Sequence, residues 1–154
     1  MAHQLGDIDL KILRLLQDDG RITNAELARQ VGLSPPSVLQ RVRKLEDNGL
    51  VKGYTALLDH KGLGFNLVVM AMVSLALHQE QPIERFRNAV IKFPEVLECM
   101  HVSGDFDFLL KIVVTDMAAY EVFVREQLSG IKGVGKIQSC FVLAMNKDTT
   151  ALPI

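Results

Sequence analysis

Cysteine is scarce in this 154-residue chain. The two present, Cys99 and Cys140, are far apart, and each lies inside an apolar run. Neither has metal-ligand spacing, so both read as small buried hydrophobes in a protein of a reducing compartment. Strong charge of one sign is missing as well. The formal net charge is −1, which argues against a protein that coats nucleic acid with its whole surface but leaves room for a local basic face. No apolar run is long enough to cross a membrane: LVVMAMVSLAL is about half the length required. The stretch MAHQLGDIDL lacks the basic and apolar regions of a signal peptide. The means of catalysis are thin too. His3, His60, His78 and His101 show no ligand spacing, and no nucleophile and base are recognisable as a pair. Gly130, Gly133 and Gly135 lack the Lys-Ser/Thr and helix that would follow in a phosphate loop. No catalytic residue, metal or cofactor is therefore expected, and a small enzyme is the least favoured reading.

What the sequence does have is concentrated in Arg21 to Leu50. Thr23 with Glu26 three residues on reads as a capping box, and Leu27, Ala28 and Val31 share one helical face. Gly32 supplies a turn. Ser34 is an N-cap residue, and Pro35 and Pro36 fall where a missing N–H costs little. Val38, Val42 and Leu45 recur at helical spacing and face inward, and Gly49 stops the helix. Ser34, Ser37, Gln40, Arg41, Arg43 and Lys44 then lie on or near the open side. A helix, a glycine turn and a second helix with a polar, basic face is the helix-turn-helix that enters the DNA major groove. Ser34 suits a phosphate or a nearby base edge. Ser37, Gln40 and Arg41 are the best groove candidates, and Arg43 and Lys44 suit phosphates. Any of the three cations has an alternative partner in Glu46 or Asp47.

Before this pair, Asp7 is placed to cap a helix that runs to about Asp18, with Gly20 ending it. After it, Val51 to Leu58 reads as a strand with no hairpin mate, which leaves an edge for another subunit. Residues 1–58 thus form a winged-helix-like DNA-binding domain, and 59–66 (DHKGLGFN) a linker. Residues 67–154 alternate between the two periods. Leu67–His78 is a strand, Pro82 opens a helix that Pro94 ends, and Val96–Val102 and Phe108–Thr115 are strands. Asp116 caps a helix with Met117, Tyr120, Phe123, Val124 and Leu128 inward, and Ile137–Met145 is the last strand. The order β-α-β-β-α-β predicts a ferredoxin-like domain, so the fold class is α+β. Helices would cover one sheet face only, yet Val68, Met70 and Met72, with Cys140, Val142 and Ala144, make the other face apolar as well. Such a face on a water-soluble protein needs a cover, and the simplest is the same sheet of a second copy in a two-fold dimer.

The motifs D-x-D-x-x-I-L from Asp7, then LARQVGLSPPSVLQRVRKLEDNGLVKGYTALLD, then SGDFDFLLKI resemble, in this order and across essentially the whole chain, the Lrp/AsnC (feast/famine) family of transcription regulators. The resemblance implies double-stranded DNA as partner, an amino-acid effector bound in the sheet domain, and dimers assembling into octamers or larger. It also implies a cytoplasmic, nucleoid-associated protein. On its residues alone, Ser103-Gly104-Asp105-Phe106-Asp107 is an ordinary Gly-Asp hairpin turn. The resemblance makes it the effector site, with Ser103, Gly104, Asp105 and Asp107 at the ligand and Met100, His101 and Ser139 as lesser candidates. The flanking Met100, Val102, Phe106 and Phe108 favour an apolar amino acid such as leucine or methionine, while a free Asp105 or Asp107 would admit a basic one such as lysine. An architectural DNA-binding protein that ignores ligands is the alternative; its usual strong basicity is absent here.

Overall fold

The computed structural model describes residues 5–76 and 80–154, with Glu80 through its backbone only. Two compact units result: Met1–Leu57 with Lys147–Ile154, and Leu58–Asn146.

The first unit holds three helices, α1 (Asp7–Asp18), α2 (Asn24–Val31) and α3 (Pro35–Asp47). Their core is Ile12, Leu13, Leu27, Ala28, Val38, Val42 and Leu45, of which the last five belong to the apolar rows that the helical periods of α2 and α3 single out. Asp7 does not cap α1. Gly6 holds that position without a side-chain bond, and Asp7 and Asp9 lie inside the first turn, where the helix dipole favours carboxylates. Half of the capping box forms. Thr23 accepts from the Glu26 N–H at 3.2 Å, but the Glu26 carboxylate turns to Arg29 and Gln30. Those hydrogen bonds, the Arg29 one foremost, hold its pKa down to about 2. Ser34 caps α3 as expected, accepting from the Ser37 N–H at 3.4 Å and bonding the Ser37 hydroxyl at 2.8 Å.

Gly32 ends α2 in the left-handed region at φ 73°, and its N–H donates to the Ala28 carbonyl at 2.9 Å. A Cβ there would meet no atom within 4 Å, so only backbone strain opposes one. Gly32→Ala is expected to cost about 1 kcal/mol in chemical denaturation, with Gly32→Asn milder. Equal stability of Gly32→Ala and wild type would show that this turn does not constrain the pair of helices.

Val51 to Leu58 leaves α3 without entering a sheet. The expected strand does not form in the single chain, because no segment of the described residues lies beside it to accept its hydrogen bonds. Lys147–Ile154 packs on α1: the Gln17 amide bonds both the N–H (2.6 Å) and the carbonyl (3.2 Å) of Leu152. Arg14 donates to the Ile154 backbone oxygen.

The second unit is a four-stranded sheet of β1 (Leu67–Leu75), β2 (Val96–His101), β3 (Phe108–Val114) and β4 (Val134–Phe141), in the order β2-β3-β1-β4 and antiparallel throughout. Helices α4 (Glu80–Val90) and α5 (Met117–Phe123) complete it, and α5 runs on into a π-helical turn, Val124–Leu128. This is the ferredoxin-like arrangement. The core joins Val69, Ala71, Val73 and Leu75 of β1 to Phe86, Val90, Phe108, Leu110, Ile112, Phe123 and Leu128. Asp116 caps α5, accepting from Ala119 N–H at 2.8 Å. Met117, expected inward, is 54% exposed, since it sits one position past the cap on the outer side.

Several ends differ from the expectation. β1 is described to Leu75; Leu77 and His78 lie outside the described residues. β4 starts before Ile137 and stops at Phe141, not Met145. Among the described residues its only neighbour is β1, and the last bond, Val142 N–H to the Val68 carbonyl at 3.0 Å, uses up that strand. Leu143 beyond it is 98% exposed. The register puts Val68, Met70 and Met72 on the face opposite the helices, beside Val113, Leu109, Met100 and Cys140. The only charged pair on this apolar face is Lys111 with Glu98, at 3.2 Å, among the described residues.

Candidate DNA-binding face and effector site

On α3, Val38, Val42 and Leu45 are buried, so the helix turns Ser37, Gln40, Arg43 and Lys44 to solvent. Ser34 is exposed at its start. Among the described residues Arg43 and Lys44 make no ion pair, and neither Glu46 nor Asp47 takes one of them; Glu46 instead accepts from the Tyr54 hydroxyl at 3.0 Å. Burial, helped by this Glu46 bond, raises the Tyr54 pKa. Arg41 is different: its Nη1 lies 2.8 Å from Oδ1 of Asp9 on α1.

In the second unit, β2 and β3 end in the turn that holds the other candidates. Gly104 has φ 130°, backbone that a side chain rarely adopts. Ser103, Gly104 and Asp105 are exposed, and the Asp105 carboxylate has no hydrogen bond or ion pair among the described residues. Its backbone oxygen accepts from the Ser74 hydroxyl at 3.4 Å.

Asp107 has a structural task. Its Oδ2 accepts from the Leu75 N–H at 2.7 Å. Its own N–H donates to the Val73 carbonyl at 2.9 Å, and its carbonyl accepts from Val102 N–H at 2.9 Å. The residue thus ties the turn to the end of β1. His101 stacks on Phe108 at the base of the turn, ring centroids 4.9 Å apart. Met100 points to the open sheet face, opposite Leu109.

Ser139 is not with them. It pairs with Ala71, three residues along β1 from Ser74, or about 10 Å. Its hydroxyl bonds that of Tyr120 at 2.5 Å. The two stand in a separate groove of about 460 Å³ with Glu121, Val124, Arg125 and Ser129. Burial raises the Tyr120 pKa, and the Ser139 bond opposes it only in part. Burial likewise raises the Cys99 thiol, which makes it a poor nucleophile. Sequence reading missed Tyr120 as a polar partner because its spacing marks it only as a core residue.

Comparison with known proteins fits both halves. Residues 68–152 match the Lrp/AsnC ligand binding domain, and residues 5–52 match a winged helix-turn-helix DNA-binding family. The chain belongs to the Lrp/AsnC family of transcription regulators.

Among its relatives, the leucine-responsive regulatory protein of Rhizobium meliloti (strain 1021) is 42% identical over 151 residues, 98% of this chain and 97% of the relative. That of Escherichia coli (strain K12) is 44% identical over 153 residues, 99% and 93% of the two chains. A Neisseria meningitidis transcriptional regulator solved as its L-Met complex superposes with TM-score 0.93 at 42% identity, covering 97% of each chain. An AsnC family regulator from Agrobacterium tumefaciens gives 0.91 at 37%, again covering 97% of each. This Lrp/AsnC regulator therefore joins a DNA-binding helix-turn-helix domain to a ligand-binding domain, and its relatives are transcription regulators rather than enzymes. Among the described residues no helix is long and apolar enough to cross a membrane.

Proposed function

We propose that this Lrp/AsnC regulator reads double-stranded DNA with Ser34, Ser37, Gln40, Arg43 and Lys44, and that an apolar α-amino acid such as methionine or leucine modulates it at the Ser103–Asp107 turn. The observation that carries the effector reading is the turn itself: an exposed Asp105 carboxylate, without a partner among the described residues, beside the open backbone of Gly104. A carboxylate suits the ammonium group of an amino acid, and exposed N–H groups suit its carboxylate. The methionine complex of the Neisseria meningitidis relative, at 42% identity, supports the same ligand class. Asp107 is spent on Leu75, so its part is to hold the turn, and Asp105 is the residue that meets the ligand. Met100 and Phe106 flank the turn and favour an apolar ligand side chain, and His101 stands at its base. Ser139 lies too far along the sheet to share the ligand within one chain.

The open sheet face points to a homodimer, with octamers or larger assemblies built from it. DNA as partner implies a cytoplasmic, nucleoid-associated protein. Calorimetry with the twenty amino acids tests the effector. Wild type is expected to bind one or more apolar amino acids, with Asp105→Ala at least about tenfold weaker, as for loss of one charged hydrogen bond. Wild type binding none would refute the amino-acid reading and favour an architectural protein. Equal binding by Asp105→Ala would move the site elsewhere.

A further inference from the structure

Arg41 stands where a groove-reading side chain is expected, yet its guanidinium is taken up by a carboxylate of α1. It lies three residues after Val38 and four before Leu45, both buried, but also four after Ser37 and three before Lys44, both exposed, so it stands on the border between the buried and the open rows of the helix. Its guanidinium reaches Asp9 of α1 at 2.8 Å, with the two side chains 41% and 22% exposed. They sit in a dent of about 110 Å³, walled by Leu5, Leu45 and Leu50, with Lys44 and Asn48 at its edge. Asp9 also lies in the first turn of α1, where the helix dipole supports a carboxylate. Lys44 borders the same dent but makes no ion pair among the described residues, and it remains available to a phosphate.

We propose that Asp9 and Arg41 form a positioning clamp that sets how the DNA-reading helix leaves α1 and withholds the Arg41 charge from the DNA backbone. The cationic contribution of α3 to DNA is then that of Arg43 and Lys44, two charges rather than three. A withheld cation serves discrimination. Each phosphate contact strengthens binding to every sequence alike, and only correctly aimed side chains separate one sequence from another.

The test uses the full chain, a duplex that wild type enriches from a random pool, and a shuffled duplex of the same composition. Both are titrated across a salt series. Asp9→Asn keeps the side-chain shape and releases Arg41. Affinity for the shuffled duplex is expected to rise about tenfold, its salt dependence to steepen by about one unit, and discrimination between the duplexes to fall about tenfold. The reversed pair, Asp9→Arg with Arg41→Asp, is expected to restore discrimination and the wild-type salt slope; a pair needed only for stability would leave the slope of folded Asp9→Asn unchanged. Two results overturn the clamp. One is Asp9→Asn leaving slope and discrimination unchanged. The other is Arg41→Ala lowering the slope by about one with discrimination intact, which would make Arg41 a phosphate contact. Failure of wild type to enrich any duplex would count against its DNA binding, not against the clamp alone.

Discussion

Phe108→Ala is expected to lower the unfolding free energy by about 3–5 kcal/mol, the usual cost of emptying a large aromatic site in a closed core. Phe108 is 1% exposed. Its ring meets Phe86 of α4 with centroids 4.5 Å apart and carries His101 on another side. Val73 of β1 lies opposite it across the ladder. Helix, two strands and the candidate effector turn all rest on this one ring, so the surroundings have little freedom to collapse into the void. The residue before it is Asp107, whose bonds to Leu75 and Val73 hold the turn. Amide exchange of Val102 and Asp107 should therefore rise with the loss of stability. Denaturant unfolding measures the first effect and hydrogen exchange the second. A loss below about 1 kcal/mol would mean that the core repacks and that the turn is held by its hydrogen bonds alone. Asp105→Ala, on the exposed side of the same turn, is expected to stay within about 0.5 kcal/mol of wild type.

Met72→Asp is expected to weaken self-association by about two to four orders of magnitude, the effect of an unpaired charge buried in an interface. Met72 lies on the open sheet face between Leu109 and Gln138. In a monomer a carboxylate there meets water, with Lys111 diagonally across the ladder, so the fold should survive. In a two-fold dimer formed through this face, symmetry brings a second carboxylate into the same apolar layer. Sedimentation of the full chain should show wild type as dimers or larger and Met72→Asp as smaller species. Met117→Asp is the control, because Met117 is exposed on the helical side. Wild type sedimenting as a monomer, or Met72→Asp assembling as wild type does, would show that this face is not the cover.

The sequence by itself determined the elements whose signals are local. Ser34 before two prolines starts α3 wherever the chain is placed, because the cap bond closes within three residues. Asp116 does the same for α5, and Gly32 ends α2 through its own backbone freedom. The alternation in Leu67–Leu75 fixed both sheet faces at once, since a strand has only two sides. The DNA-binding domain and the order of the ferredoxin-like domain were legible for that reason, and the motifs carried the family.

What only the tertiary structure decided are the partners. Nothing local pairs Arg41 with Asp9, 32 residues earlier, or turns the Asp107 carboxylate to Leu75 while Asp105 stays exposed. Ser139 reads as a strand residue near a site, but its side is set by β1, which aims it at Tyr120. The alternation past Phe141 continues to Met145, yet β4 ends, and Val51–Leu58 has strand character without being a strand. A β-ladder needs a neighbour to accept its hydrogen bonds, and a side chain's role depends on what the fold sets opposite it; neither is written in the spacing of the residues themselves.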